Sequence, residues 1–192
     1  MDEIATPWRD CLALAWEAYH AGAVPVGAVV VDGSGEIVAR GRNRIFEAGS
    51  RLAHAEVEAL QQLGVERRYE DHAVYSLLEP CLLCVGAALM STIGTIKYAT
   101  ADAYGGACNR DISVPDFLRR NMTIEGPADG SVGAIGAALQ TAFWLGRSTR
   151  IQADVLRAFG DDACAAGARL RETEVSEDFE EALPLILGSL AG

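Results

Sequence analysis

Two short clusters of metal-binding side chains constrain the fold of this chain more than any other feature. The first is the stretch HAE, which begins at His54, and the second is PCLLC, in which Cys81 and Cys84 are three residues apart. Residues three apart on a helix share a face, so the two cysteines can bind one ion together. One imidazole and two thiolates form a ligand set that suits zinc. The sequence therefore predicts a fold that brings His54 to the cysteine pair.

Glu56 indicates that the predicted zinc site is catalytic. Three protein ligands leave the fourth tetrahedral position to water, which is typical of catalytic rather than structural zinc. Glu56 follows the ligand His54 by two residues and can lie beside that water without binding the metal. A carboxylate in that place can move protons to a leaving nitrogen. The pattern predicts hydrolytic loss of ammonia from an amidine-like carbon. A structural zinc site or an inactive descendant is the alternative.

The periodicity of apolar residues predicts an α/β fold. It indicates helices at residues 8–19, 53–63, 81–91, 131–147 and 151–159. AVPVGAVVVDGSGEIVARG is typical of a β-hairpin, and HAVYSLLEP, TIKYAT and MTIEG of further strands. This order predicts a mixed sheet between helical layers. We divide the chain into a deaminase domain at residues 1–149 and a helical, acidic C-terminal extension at residues 150–192.

Composition limits the classes of partner. The net charge of −11 argues against a large nucleic-acid footprint, because such binders set cations against phosphates. No apolar run approaches the roughly 18 residues that a bilayer span needs, so no membrane partner is expected. The acidic start, MDEIATPWRD, lacks the order of a signal peptide, which favours a cytoplasmic location. In a reducing compartment the five cysteines are open to metal or catalytic use.

Several longer motifs together resemble the cytidine deaminase-like superfamily, in its branch of tRNA adenosine deaminases and guanine deaminases. The similarity runs from about Trp8 to Arg147 and is carried by PVGAVVV, GRNR, AHAEVEAL, LEPCLLCVGAAL and KYATADAYGGA. H-x-E followed by P-C-x-x-C is the signature of zinc deaminases. The resemblance implies a three-layer α/β/α sandwich with a five-stranded mixed sheet, a Zn²⁺ cofactor and a homodimer.

The resemblance also implies roles for single residues. His54, Cys81 and Cys84 would bind zinc, with Glu56 as the proton shuttle. Asn43 and the backbone N–H of Ala55 would bind the base, and Glu79 would hold its loop by hydrogen bonds.

Other side chains have two interpretations that the sequence leaves open. Asp102 either contacts the substrate or caps a loop, and Phe143 and Trp144 either cover the pocket or belong to the core. Cys108 either approaches the pocket or is an inert thiol, while His20 and His72 are expected at the surface. The arginines that could bind phosphate or form a solvated face are Arg40, Arg42, Arg44, Arg119 and Arg120.

We expect the substrate to be a small nucleobase-like or nucleoside-like heterocycle, with a purine of guanine or adenine type preferred on the resemblance alone. Adenosine-to-inosine deamination of tRNA is the alternative within enzymes. The loop EAGSRLAHAE, the weakly basic FWLGRSTR and the acidic tail depart from the tRNA-editing pattern and disfavour it. A non-catalytic, zinc-stabilised binding protein is the alternative of another class, and the intact Glu56 argues against it.

Overall fold

A five-stranded mixed sheet forms the centre of the molecule. The computed structural model describes residues 4–65, 68–108 and 122–190. The strands run in the order β2-β1-β3-β4-β5, with β1 antiparallel to β2 and β3, and β3, β4 and β5 mutually parallel. Their bounds are β1 Gly27–Val31, β2 Ile37–Arg42, β3 Ala73–Leu78, β4 Thr95–Thr100 and β5 Thr123–Glu125. The predicted mixed sheet is confirmed.

Seven helices flank this sheet in the described residues. Their bounds are α1 Thr6–His20, α2 Ala55–Leu60, α3 Leu82–Met90, α4 Ser131–Leu145, α5 Gln152–Phe159, α6 Asp161–Glu172 and α7 Phe179–Leu190. None of the described helices is both long and apolar enough to cross a bilayer. The cytoplasmic location inferred from the sequence stays a prediction.

The two faces of the sheet bury separate apolar clusters. On one face, α1 and α4 pack together through side chains such as Trp16, Ile135 and Leu139. On the other face, α2 and α3 pack on the sheet through Leu60 and Val85. Every residue of β1 is buried, because this all-apolar strand lies inside the sheet with a helical layer on each side. The result is the predicted three-layer arrangement.

The C-terminal helices belong to the same core as α1 and α4. Leu170 of α6, together with Phe179, Leu183 and Ile186 of α7, joins the cluster that contains Trp16. Burying these side chains contributes roughly 1.5–3 kcal/mol each to folding. The predicted C-terminal helical extension is therefore present, and it covers apolar surface of the first 149 residues.

Local differences from the sequence-based expectations have physical reasons. The stretch around Cys164 forms helix α6, although it is too rich in small residues to show an amphipathic pattern. Those small residues allow a close approach to α4, since a Cβ on Gly167 would lie 2.2 Å from Thr141 Oγ1. The surface expectation for His72 was wrong: the residue is 1% exposed, and its Nδ1 lies 2.7 Å from Asp71 Oδ1.

Candidate metal and substrate site

The three predicted metal ligands meet where two helices begin. His54 directly precedes α2, and Cys81 directly precedes α3, which enters from the end of β3. Cys84 lies in the first turn of α3 and faces the same point. The ligand atoms His54 Nδ1, Cys81 Sγ and Cys84 Sγ all lie within 4.8 Å of one another. The predicted cluster thus forms, although its segments are far apart in the sequence.

The spacing of these three atoms fits a zinc ion. His54 Nδ1 lies 3.6 Å from Cys81 Sγ and 3.5 Å from Cys84 Sγ, and the two sulfurs are 3.6 Å apart. Tetrahedral zinc, with bonds of about 2.3 Å to sulfur and about 2.0 Å to nitrogen, sets its ligand atoms roughly 3.5–3.8 Å apart. The three side chains can therefore hold zinc as they stand, with one position left for another ligand.

The charge state of the thiols also favours a cation. The contact with Cys84, reinforced by His54, lowers the pKa of Cys81 to about 4, so Cys81 is a thiolate at neutral pH. The contact with this thiolate, together with burial, raises the pKa of Cys84. Because a metal binds thiolates, its binding at this site would release the proton of Cys84.

Glu56 lies deep beside this cluster. Its side chain is 4% exposed, Ser76 Oγ donates to Oε1 at 2.9 Å, and Cys84 Sγ lies 3.2 Å from Oε2. Burial raises the pKa of Glu56, so the carboxyl group can hold a proton more readily than an exposed glutamate. Its position next to a ligand thiol, without replacing that ligand, matches the predicted proton shuttle.

A cavity of about 210 Å³ opens next to the cluster. Two of the three predicted ligands, His54 and Cys81, line it together with Glu56. We call these two ligands and the adjoining third ligand, Cys84, the metal-binding wall. The remaining lining is largely apolar with three polar side chains, Asn43, Glu79 and Asp102, as is usual for sites that bind small molecules. The other lining residues are Val24, Val26, Ile45, Leu78 and Gly105.

Two of these polar side chains, Asn43 and Asp102, are fixed by their own loops. Asn43 is buried, and its Oδ1 accepts the Ile45 N–H at 3.3 Å. Asp102 Oδ1 accepts the N–H groups of Tyr104 and Gly105, both at 2.9 Å, and burial raises the pKa of Asp102. Asp102 therefore caps its loop and lines the cavity at the same time.

Glu79, which also lines the cavity, holds the Asp102 loop by hydrogen bonds. Its Oε2 accepts the Asp102 N–H and its Oε1 accepts the Cys108 N–H, both at 3.1 Å. This is the hydrogen-bonding role that the resemblance implied. Burial raises the pKa of the Cys108 thiol to about 12, and Cys108 is absent from the cavity lining found among the described residues.

Three predicted substrate-binding residues lie outside that lining. Ala55 is the first residue of α2 and is fully buried between the lining residues His54 and Glu56. Phe143 is buried under the Arg147 guanidinium, and Trp144 packs edge-on against Phe143 at 5.3 Å. The described residues that line the cavity do not include Ala55, Phe143 or Trp144. Their contacts with substrate stay predictions.

Sequence reasoning missed the apolar part of the cavity. Val24 and Val26 lie just before β1, Ile45 follows β2, and Leu78 ends β3. Nothing in their spacing marks them as a group, because they come from three separate segments. The strand ends alone could have indicated them, since ligands of open α/β sheets bind beyond strand ends.

The arginine stripe on the edge strand is matched by acidic side chains. Arg40 Nε donates to Asp10 at 2.9 Å, and Arg42 binds Glu47 through both of its terminal nitrogens, at 2.7 and 2.9 Å. Arg44 reaches Glu58 at 3.4 Å. These ion pairs support the interpretation of Arg40, Arg42 and Arg44 as a solvated face rather than as phosphate contacts. The predicted phosphate contacts Arg119 and Arg120 lie outside the described residues.

The family known as the cytidine and deoxycytidylate deaminase zinc-binding region matches residues 1–100. The chain belongs to this family and is a zinc-binding domain of the deaminase class. The family confirms the predicted zinc cofactor and the predicted deaminase class of domain.

Two relatives extend the comparison. The tRNA(Ile)-lysidine synthase of Deinococcus radiodurans is 38% identical over 156 residues, which cover 80% of this chain and 26% of that protein. The tRNA-specific adenosine deaminase of Haemophilus influenzae is 35% identical over 121 residues, which cover 61% of this chain and 69% of that protein. The chain thus spans only about a quarter of the lysidine synthase that it matches.

Solved structures confirm the fold. A structure from a study of A-to-I editing by tRNA:A34 deaminases has a TM-score of 0.56 and 31% identity, and the similarity covers 62% of this chain and 96% of that chain. A guanine deaminase from Nitrosomonas europaea has a TM-score of 0.56 at 21% identity, covering 74% of this chain and 86% of that chain. At that identity the second similarity shows the fold alone.

Proposed function

We propose that the chain deaminates a small purine-type base or nucleoside by hydrolysis. The observation that carries the proposal is the placement of the buried Glu56 carboxyl, His54 and Cys81 on one wall of a single cavity. In the reaction a carbon–oxygen bond forms from water, the exocyclic carbon–nitrogen bond breaks, and the amine leaves as ammonia.

Each wall has a distinct part in this reaction. Zinc, when bound, acts as a Lewis acid that makes water a good nucleophile at neutral pH. Glu56 takes a proton at Oε2, which lies beside the ligand sulfur of Cys84, and returns it to the leaving nitrogen. Asn43 and Asp102 offer a donor and an acceptor to the ring, while Val24 and Ile45 exclude water around it.

The charge of the surroundings supports a small substrate. A tRNA needs cations that face its phosphates. On the β2 edge, Arg40, Arg42 and Arg44 are each paired with a carboxylate instead. A base or nucleoside needs no such cations, and the polar groups it requires lie within the cavity.

An adenosine within tRNA is the second candidate, and the relatives favour it. The Haemophilus influenzae relative is named a tRNA-specific adenosine deaminase, and the Deinococcus radiodurans relative is named for another tRNA modification. The cavity would then take the target base alone, with the rest of the anticodon loop outside it. A homodimer stays a prediction for either substrate.

Ammonia release from a panel of substrates tests both candidates. The panel contains guanine, adenine, cytosine, their nucleosides and a tRNA anticodon stem-loop, each with zinc-loaded protein. We expect release from a purine or purine nucleoside, abolished in Glu56→Gln and retained in Glu58→Gln. Glu58 is the matched control, because it lies on the same helix but outside the cavity lining. Release from the stem-loop alone would replace the small substrate with tRNA.

A further inference from the structure

We propose that Arg147, just beyond the C-terminal end of α4, is a positioning residue for the substrate cavity. Arg147 lies outside the lining of the cavity, yet it contacts the two chain segments that supply most of its apolar wall. These segments are residues 22–26, before β1, and residues 43–54, between β2 and α2. The inference rests on the proposed function, because it concerns the wall that faces the base.

The first segment is bound to α4 at two points. The Arg147 guanidinium donates to the carbonyl of Gly22, and Gln140 Nε2 donates to the carbonyl of Pro25 at 2.9 Å. Gln140 lies within α4, and Arg147 follows its last residue, Leu145, by two positions, so both contacts connect this segment to the C-terminal half and end of α4. Val24 and Val26, which line the cavity, are held between and beside these two carbonyls.

The second segment is bound to Arg147 through an aromatic ring. The guanidinium carbon lies 5.4 Å from the centre of the Phe46 ring and 4.5 Å from that of the Phe143 ring. Both distances are within the range of a cation–π interaction. Phe46 is 59% exposed, and this contact connects its side chain to the end of α4. Ile45, its neighbour, lines the cavity.

The two segments also contact each other, at a point that matters for substrate. The Asn43 N–H donates to the carbonyl of Val26 at 2.9 Å, so a shift of residues 22–26 would move Asn43. In contrast, α4 is anchored by Ile135 and Leu139, which are completely buried. Arg147 thus ties two loops to a rigid helix and fixes the distance between them. Through Arg147, the end of α4 therefore holds the loops of the cavity without lining it. This role does not depend on whether Phe143 or Trp144 contacts substrate.

Hydrogen exchange on the zinc-loaded protein tests this without depending on the substrate. We compare the wild type with Arg147→Gln and with the exposed neighbour Arg150→Gln as the control. In Arg147→Gln we expect about tenfold faster exchange at the amides of Asn43, Arg44 and Val26. The amides of Glu79 and Val85, on the metal-binding side, should not change. Phe46→Ala should speed exchange in residues 43–54 and leave residues 22–26 as they are.

The kinetic consequence is a separate measurement. If the panel yields a substrate, Arg147→Gln should raise its KM several-fold with kcat changed by less than about twofold, and Arg147→Lys should restore part of the loss. Unchanged exchange in both loops, or equally faster exchange throughout the chain, would overturn the positioning role. Failure of every panel substrate would count against the proposed function and leave the exchange result standing.

Discussion

The metal-binding wall and the substrate wall of the cavity are built in different ways. His54, Cys81 and Cys84 stand at or near the first residue of a helix, and two of them come from one turn of α3. The substrate wall is assembled from four segments, which contribute Val24, Asn43, Leu78 and Asp102 among others. Hydrogen bonds between loops, rather than regular elements, hold that wall together.

The difference separates chemistry from selectivity. Helix starts fix the ligands to within a few tenths of an ångström of the spacing that zinc requires, as the three distances of 3.5 to 3.6 Å indicate. The loops opposite can change sequence without disturbing those distances. We therefore expect changes on the metal-binding wall to abolish turnover, and changes on the substrate wall to alter substrate affinity.

Cys81→Ser should have the largest effect, because serine is a poor zinc ligand. Zinc content should fall from about one ion per chain to less than about a tenth, with no measurable turnover. Metal analysis after dialysis checks the prediction. Cys164→Ser is the control, since its sulfur lies 3.5 Å from the Leu156 carbonyl and away from the site. Full zinc occupancy in Cys81→Ser would break the assignment of the metal-binding wall.

Glu56→Gln should retain zinc but lose about 10²- to 10⁴-fold in kcat, the usual contribution of a positioned acid–base group. The amide keeps the size of the side chain and can still accept from Ser76, so the fold should persist. Steady-state kinetics, with zinc analysis of the same samples, check it. A variant that keeps more than about a tenth of wild-type kcat would contradict the proton-transfer role.

Asn43→Ala should raise KM about tenfold and leave zinc content and kcat nearly unchanged, because a hydrogen bond to the ring is lost. Asn43→Asp separates the loss of the hydrogen bond to the ring from the loss of the hydrogen bond within the loop. It keeps the oxygen that accepts the Ile45 N–H but lacks the amide donor. Equal KM values for the two variants would place the effect on the ring, whereas a normal KM for Asn43→Asp would assign it to the loop.

Ile186→Ala should leave both walls as they are and change only stability. The side chain is completely buried in the cluster shared by α7 and the sheet, so its loss should lower the free energy of unfolding by about 2–5 kcal/mol. Leu185→Ala is the control on the same helix, since Leu185 is 45% exposed. Denaturant titration measures the difference. An unaffected stability would mean that the C-terminal helices are dispensable for the core.

The sequence predicts the metal-binding wall well, because its residues follow local rules. C-x-x-C places two ligands one turn apart at the start of α3, H-x-E places Glu56 two residues after the ligand His54, and Pro80 marks where α3 begins. The mixed sheet follows from the order of apolar runs in the same way. Each of these features depends on residues close together in the chain.

The substrate wall and the packing of α6 escape such rules. Gly22 and Arg147 are 125 residues apart, and no pattern in either segment anticipates their contact. The small residues of α6 are explained only by its close packing against α4, which Gly167 contacts. His72 is polar, yet it is buried, with its Nδ1 2.7 Å from a carboxylate oxygen of the largely exposed Asp71. These features depend on contacts between residues that are far apart in the chain, which local sequence patterns do not predict.

The most direct test follows the oxygen of water. The zinc-loaded protein is given its best purine substrate in water enriched in the heavy oxygen isotope, and the product is examined by mass spectrometry. Hydrolytic deamination at the His54, Cys81 and Cys84 site predicts one heavy oxygen in the product carbonyl for each ammonia released, with both products formed at least about a hundredfold more slowly by Glu56→Gln. Ammonia release without the heavy oxygen, or at an undiminished rate in Glu56→Gln, would contradict the proposed reaction.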